Sequence, residues 1–231
     1  MREKETPLVE VRGLKQYFKL DKYTTVKAVD DISFSICQGE IFGLVGESGS
    51  GKSTTGRSLL RMYEPTGGEI YYNGICISNK KEYQRHRSQI RRQMQMIFQS
   101  PQSSINYRMS LGEIIEEPLL LQEKSLSREQ RRERALSLMD SVGLERDFYS
   151  GYPAEFSGGQ LQRVAIARAI ATNPAFLVAD EPIASLDVSI QAQIVNLIKK
   201  LKLERELTCM FIAQDLSMGR HLRDRIAVMV G

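Results

Sequence analysis

Cysteine is scarce in this chain. Cys37, Cys76 and Cys209 are the only three among 231 residues, and no two of them form a C-x-x-C pair. That spacing argues against a disulfide framework and a thiolate metal site. Each thiol is expected to be a small apolar filler in a reduced, cytosolic interior. Long apolar runs are also missing: none approaches the roughly 18 residues that a membrane span needs. The opening Met1-Arg2-Glu3-Lys4-Glu5-Thr6 is charged and lacks the apolar segment of a secretory signal. If the protein works at a membrane, another chain must supply the membrane domain. There is no internal repeat and no low-complexity segment. Charge is nearly balanced, with Lys and Arg at 32 against Asp and Glu at 28. A net charge of +4 is weak support for a nucleic acid or membrane surface as partner. With 42% hydrophobic residues, the chain can bury a large core in one or two domains.

The strongest positive signal is Gly46-Glu47-Ser48-Gly49-Ser50-Gly51-Lys52-Ser53, which fits the phosphate-loop pattern G-x-x-x-x-G-K-[ST]. Ile41 to Val45 before it reads as a buried strand, and Thr54 to Met62 after it as a helix. Strand, glycine loop and helix are the context the pattern requires. Glycines let successive N–H groups turn into one concavity, and the helix start adds partial positive charge. Lys52 is expected to reach the β- and γ-phosphates, and Ser53 to ligate Mg²⁺.

The chain divides into three stretches. About residues 8–80 are strand-rich, with alternation in Leu8 to Val11 and Ala28 to Ile36, and a turn at Asn73-Gly74. About 81–172 read as mostly helical. Lys80 to Arg92 and Arg128 to Arg134 are basic runs best read as solvated helix faces, the second capped by Ser127. Leu111 to Leu121 is either core or a partner-facing surface. From about 173, apolar strands alternate with helices: Ala175 to Ala179, a one-faced helical stripe within Val188 to Leu207, Cys209 to Ala213, and Arg225 to Val230. That alternation implies a parallel sheet covered on both faces.

Asp180 and Glu181 close one of these buried strands, where ligands of open α/β sheets bind. Asp180 would hold Mg²⁺, directly or through water, and Glu181 would orient an attacking water. Without the phosphate loop, the pair would read as acids at a helix start. Phe156-Ser157-Gly158-Gly159-Gln160 precedes a further helix. Taken alone it is an ordinary capped start; beside the phosphate loop it is a candidate second anion site. Two such starts in one chain make sense if the second serves a nucleotide held by another copy or partner.

Together these segments resemble the nucleotide-binding subunit of an ATP-binding-cassette (ABC) transporter. Gly46 to Ser53, extended by Thr54, resembles the Walker A loop. Phe156 to Gln160 is similar to the LSGGQ signature, with Phe156 in the Leu place, and Leu177 to Glu181 resembles Walker B with the catalytic glutamate. Gln99 resembles the Q-loop glutamine, which senses Mg²⁺ and water and couples to the membrane subunit. Ser185-Leu186-Asp187 resembles the D-loop. Tyr17 falls at the place of the adenine-stacking aromatic, with Phe18 as competitor. The resemblance covers about residues 14 to 225 and implies a P-loop NTPase core with a mostly parallel sheet, an antiparallel β flank and an inserted helical subdomain. Within a single domain of 1–231, the catalytic core would comprise about 1–98 and 173–231, and the helical, signature-bearing part about 99–172.

Val26 to Asp30, Gln95 to Gln99, Gly112 to Ile115 and Leu186 to Gln193 are similar to the oligopeptide, dipeptide and nickel importer branch, and more to the second of its two ATPase subunits. The resemblance implies ATP and Mg²⁺ as ligands, and a second nucleotide-binding subunit, in a heterodimer or a homodimer. It further implies two membrane permease subunits, an extracellular solute-binding protein acting indirectly, no nucleic acid, and a place on the cytoplasmic face of the cell membrane.

Three departures stand out. Gln214 precedes Asp215 where the family places a switch histidine, removing a titratable, chargeable contact to the γ-phosphate. Weakened hydrolysis is expected from that change. Tyr107 stands where the branch usually has Pro. Branch members usually continue past the position of Gly231 with a hairpin and a C-terminal segment, an extension expected to be absent here. Two rival readings follow: a subunit that binds ATP with little hydrolysis of its own, and a non-transport cassette ATPase. Arg163 and Arg168, after the signature, have no assigned role.

Overall fold

The computed structural model describes residues 7–214 and 223–230. Described residues within Met1–Arg91 and Glu206–Gly231 form one compact unit, and Arg92–Arg205 form another.

The first unit opens with β1 (Val9–Lys19) and β2 (Thr25–Ile36). They pair antiparallel with Val9 opposite Ile36, and the register shifts between Val11 and Leu14. Gly13 takes φ 58 inside that irregularity and donates its N–H to Ser33 Oγ at 2.8 Å. Next come β3 (Ile41–Gly46), α1 (Lys52–Leu59), β4 (Gly67–Tyr72), β5 (Ile75–Cys76) and α2 (Lys80–Gln93), which crosses the boundary between the units. The antiparallel sheet runs β2-β1-β4-β5. Val9 and Val11, like Ile70 and Tyr72, are buried at period-two spacing; Ile36 is buried too, and so is Leu14, which follows the register shift. The expected turn at Asn73-Gly74 joins β4 to β5, with φ 46 and 77 at its two residues. Two consecutive positive φ values are what the twist of a tight hairpin demands.

The helix after the phosphate loop begins two residues earlier than the sequence suggests and ends three earlier. Met62 N–H bonds Arg57 O at 3.0 Å and Arg61 N–H bonds Ser58 O at 3.0 Å, with Arg61 at φ 55. This is the two-bond helix stop usually built on glycine. An arginine in that place leaves no signature in the sequence. α2 buries only Tyr83 and Ile90, so its basic residues form the solvated face expected of them.

The second unit holds β6 (Met94–Ile97), α3 (Pro101–Ser104), α4 (Leu111–Gln122), α5 (Arg128–Ser141), α6 (Gly158–Ile170), β7 (Phe176–Asp180) and α7 (Val188–Arg205). Ser110, Ser127 and Ser157 each cap a helix in a reciprocal box with Glu113, Gln130 and Gln160. α4 contributes to the core, the first of the two readings of its segment. Leu111, Ile114, Ile115 and Leu119 are buried, whereas Leu120 and Leu121 are 55% and 65% exposed. α7 buries Ile194, Leu197, Ile198 and Leu201 as one stripe. β6 is a short strand inside the stretch 81–172 that reads as mostly helical. Four residues are too few for periodicity to declare a strand, and pairing decides instead: Met94 to Ile97 run parallel to Phe176 to Ala179.

The chain then returns to the first unit with β8 (Thr208–Ala213) and β9 (Arg225–Met229). Both pair parallel with β3, which therefore has a strand on each side. Ile41 to Val45 and the whole of β8 are buried, as continuous apolar runs in a parallel sheet should be.

Candidate functional site

The phosphate loop leaves the carboxyl end of β3, between its two parallel neighbours. Two of its glycines are imposed by close backbone approach. A Cβ on Gly46 would lie 2.1 Å from Met229 O, and one on Gly51 would lie 2.1 Å from Ala28 O. Both residues have positive φ, as does Gly49 at 85°. Gly51 caps α1 without a side chain, and no acidic residue stands in the first turn. The helix start thus keeps its positive end for an anion. Lys52 is 4% exposed, and its Nζ donates to Gly46 O at 2.8 Å and Glu47 O at 2.7 Å. The ammonium is folded across its own loop, with Ser50 Oγ 3.4 Å away. Ser48 and Gly49 at the loop's tip are exposed, while Ser53 and Thr54, next to Lys52, are half-buried.

In the second unit, the register of β6 with β7 decides which residues emerge together. Ile97 lies opposite Ala179, so the residues two further on, Gln99 and Glu181, follow the ends of adjacent strands. Gln99 Nε2 donates to Glu181 Oε2 at 3.1 Å. Asp180 ends β7 and is fully buried; Glu181 is 7% exposed. Glu181 has φ 46, a left-handed conformation that costs a non-glycine residue about 1–3 kcal/mol. The turn after it is fixed by Ala184 N–H bonding Glu181 O at 3.2 Å. Nothing in the composition of this segment announces the contact with Gln99; only the unanticipated strand β6 brings it about.

The signature segment opens α6 in the same unit. Ser157 Oγ accepts from Gln160 N–H at 3.4 Å, and Gln160 Oε1 accepts from Ser157 N–H at 2.9 Å. The box leaves Gly158 and Gly159 to present first-turn amides, and the Ser157 hydroxyl hydrogen to donate. Phe156 packs edge-on against Phe148, ring centres 5.1 Å apart. Asp187 is exposed just before α7 and its carbonyl accepts from Gln191 N–H at 2.9 Å. Arg168, unassigned in the sequence, donates through Nη2 at 2.8 Å and Nε at 3.2 Å to the one oxygen Glu117 Oε2, tying α6 to α4.

Of the two competing aromatics on β1, Phe18 is engaged edge-on with Tyr63 at 5.2 Å. The Tyr17 hydroxyl donates to the Asp30 carboxylate, and Lys27 Nζ lies 5.3 Å from the Tyr17 ring centre. The Tyr17 bond pulls the Asp30 carboxyl below its ordinary range, helped by Lys27, and pushes the Tyr17 phenol up. Gln214 is exposed and immediately follows β8; Asp215 lies outside the described residues.

The donors expected for Mg²⁺ are all hard oxygens: the Ser53 hydroxyl in the first unit, and the Gln99 amide oxygen and the Asp180 carboxylate in the second. Oxygen donors of this kind suit an ion which takes few protein ligands and completes its shell with water and phosphate. Among the described residues, no group of three or more His, Cys, Asp and Glu could hold a metal by itself. Among them also, no helix is long and apolar enough to cross a membrane.

Comparison with known proteins agrees with this set of parts. The family model described as ABC transporter matches residues 29–184. The oligopeptide transport ATP-binding protein OppF of Bacillus subtilis is 51% identical over 222 residues, which span 96% of this chain and 72% of that protein. OppF of Streptococcus mutans is 49% identical over 229 residues, 99% of this chain and 74% of the relative. Among solved structures, the ATP-binding cassette MJ0796, in a dimeric post-hydrolysis state bound to ADP and Pi, superposes with a TM-score of 0.85. It is 32% identical, with 96% of this chain and 94% of the other covered.

Proposed function

The chain belongs to the ABC transporter family of ATPases, and from that premise we propose that it is the ATP-binding subunit of an importer for peptides or related small solutes. The observation that carries the reading is the phosphate loop, in which a buried Lys52 lies across the Gly46 and Glu47 carbonyls beside an uncapped, acid-free helix start. The relatives named for oligopeptide transport extend it to cargo.

In this account Lys52 leaves the loop carbonyls for the β- and γ-phosphates, and the amides from Gly46 to Thr54 take the remaining phosphate oxygens. Tyr17 stacks on adenine, oriented by Asp30. Ser53, Gln99 and Asp180 would hold Mg²⁺, which when bound would supply positive charge to offset that of the phosphates. Glu181 holds the water that attacks the γ-phosphorus, giving ADP and phosphate. The Gln99 bond to Glu181 links the orientation of that water to the position of the Gln99 loop. Ser157 to Gln160 and Asp187 complete the site of a second nucleotide-binding subunit, so that ATP stabilises the closed pair only when both halves are present.

The partners are a second ATPase subunit, two permease subunits and, indirectly, an extracellular solute-binding protein; the chain rests on the cytoplasmic face of the membrane. A second reading is favoured by Gln214, which lacks the charge of the switch histidine: ATP binding is intact and hydrolysis at this site is slow. Equilibrium ATP binding by Lys52→Ala tests the main reading. Affinity is expected to fall by about 100-fold or more. Undiminished affinity would remove the phosphate loop from the account.

A further inference from the structure

Two glutamines near the start of α7 hold different neighbours. Gln191 Nε2 donates to Leu186 O at 2.9 Å, the carbonyl just before Asp187. Gln193 Oε1 accepts from Arg163 Nη2 at 2.8 Å, and Arg163 also donates through Nη1 to Val142 O at the end of α5. One short piece of α7 therefore grips the Asp187 turn on one side and the second turn of α6 on the other.

Packing along the same line is tight. A Cβ on Gly159 would lie 2.9 Å from Ile190 Cγ2, and one on Gly158 would lie 3.8 Å from Leu186 Cδ2. The glycines at the start of α6 thus rest on the residues flanking Asp187, and Gly159 is glycine because α7 is there. A side chain at Gly159 would force Ile190 to shift, so the two segments are closely apposed at this point. Both Arg163 acceptors are neutral, an amide and a carbonyl, so the guanidinium is held in place while its charge stays close to the positive end of α6.

We infer that Gln193 and Arg163 are positioning residues for the nucleotide bound by the partner subunit. Their hydrogen bond locks the Ser157–Gln160 helix start to the Asp187 turn, so that both meet that nucleotide as one preset surface. This rests on the reading that Ser157 to Gln160 serves the partner's ATP. Two groups that must engage one ligand together lose much of their effect when their spacing is left to fluctuate.

The test is steady-state ATP hydrolysis by the importer assembled with its partner subunits, comparing Gln193→Leu, Gln193→Glu and, as a reference, Ser157→Arg. Gln193 is exposed, so its variants fold. Gln193→Leu keeps the bulk and removes the acceptor. It should raise the KM for ATP about threefold to tenfold, with kcat within about twofold. ATP binding by the isolated chain should stay unchanged, and its melting temperature within about 2 °C. Gln193→Glu restores an acceptor and should return KM towards that of the parent. If Gln193→Leu leaves KM alone while Ser157→Arg raises it, the positioning role is wrong and the signature reading survives. If Ser157→Arg also leaves KM alone, the signature reading itself fails. If Gln193→Leu lowers the melting temperature and weakens binding in the isolated chain to the same degree as it raises KM, the residue is merely structural.

Discussion

Gln99 Nε2 donates to Glu181 Oε2 at 3.1 Å, joining two residues 82 positions apart in the chain. The link follows from the parallel register of β6 and β7, which sets Ile97 against Ala179 and so delivers both side chains at the same level. A carboxylate that must hold water benefits from a fixed donor on one oxygen, because its orientation is then settled before reaction. Glu181 also holds a left-handed backbone, a strain tolerated where geometry is needed for function. A loop beginning at Gln99 is thereby in a position to report on, or disturb, Glu181, the residue proposed to hold the attacking water.

Gln99→Ala should therefore lower ATP turnover by about 100-fold while equilibrium ATP binding changes little. Measuring both in the same preparation checks it. A parallel loss of binding would make Gln99 a binding residue alone.

Gln214→His should raise turnover in the assembled importer by about tenfold or more, since it returns a chargeable group to the switch position. Single-turnover hydrolysis at saturating ATP is the direct measure. An unchanged rate would show that this position does not limit the chemistry.

Alkaline pH should destabilise the first unit through Tyr72. Burial pushes its phenol up to about 12 from the ordinary 10.0. Folding favours the neutral form, so this contribution is complete below about pH 10 and is lost as pH rises towards about 12. Denaturant midpoints at about pH 9 and about pH 11 should converge in Tyr72→Phe relative to the parent. Tyr149, pushed up to about 12 by burial and its bond to Glu116, adds a loss of the same sign in the second unit.

Much of this architecture is legible in the chain because its signals are contiguous. The strand, glycine loop and helix around Lys52 lie within about twenty residues, and each S-x-x-E/Q box announces its helix on the spot. Glu181 is visible as an acid at the end of an apolar run. What the sequence hides depends on distant partners. β6 exists through pairing with β7, not through its own four residues. The end of α1 is built on Arg61 where glycine would have been recognised. Phe18 meets Tyr63, and Tyr17 meets Asp30, through contacts that no local pattern encodes.

The most direct test of the account is steady-state ATP hydrolysis by the assembled importer carrying Glu181→Gln in this chain. The account predicts a fall of about 100- to 1,000-fold with ATP binding retained, because the loop around Lys52 is untouched and only the water-holding carboxylate is lost. Hydrolysis that is indifferent to the substitution would contradict it, and would show that this chain binds ATP while the partner subunit performs the chemistry.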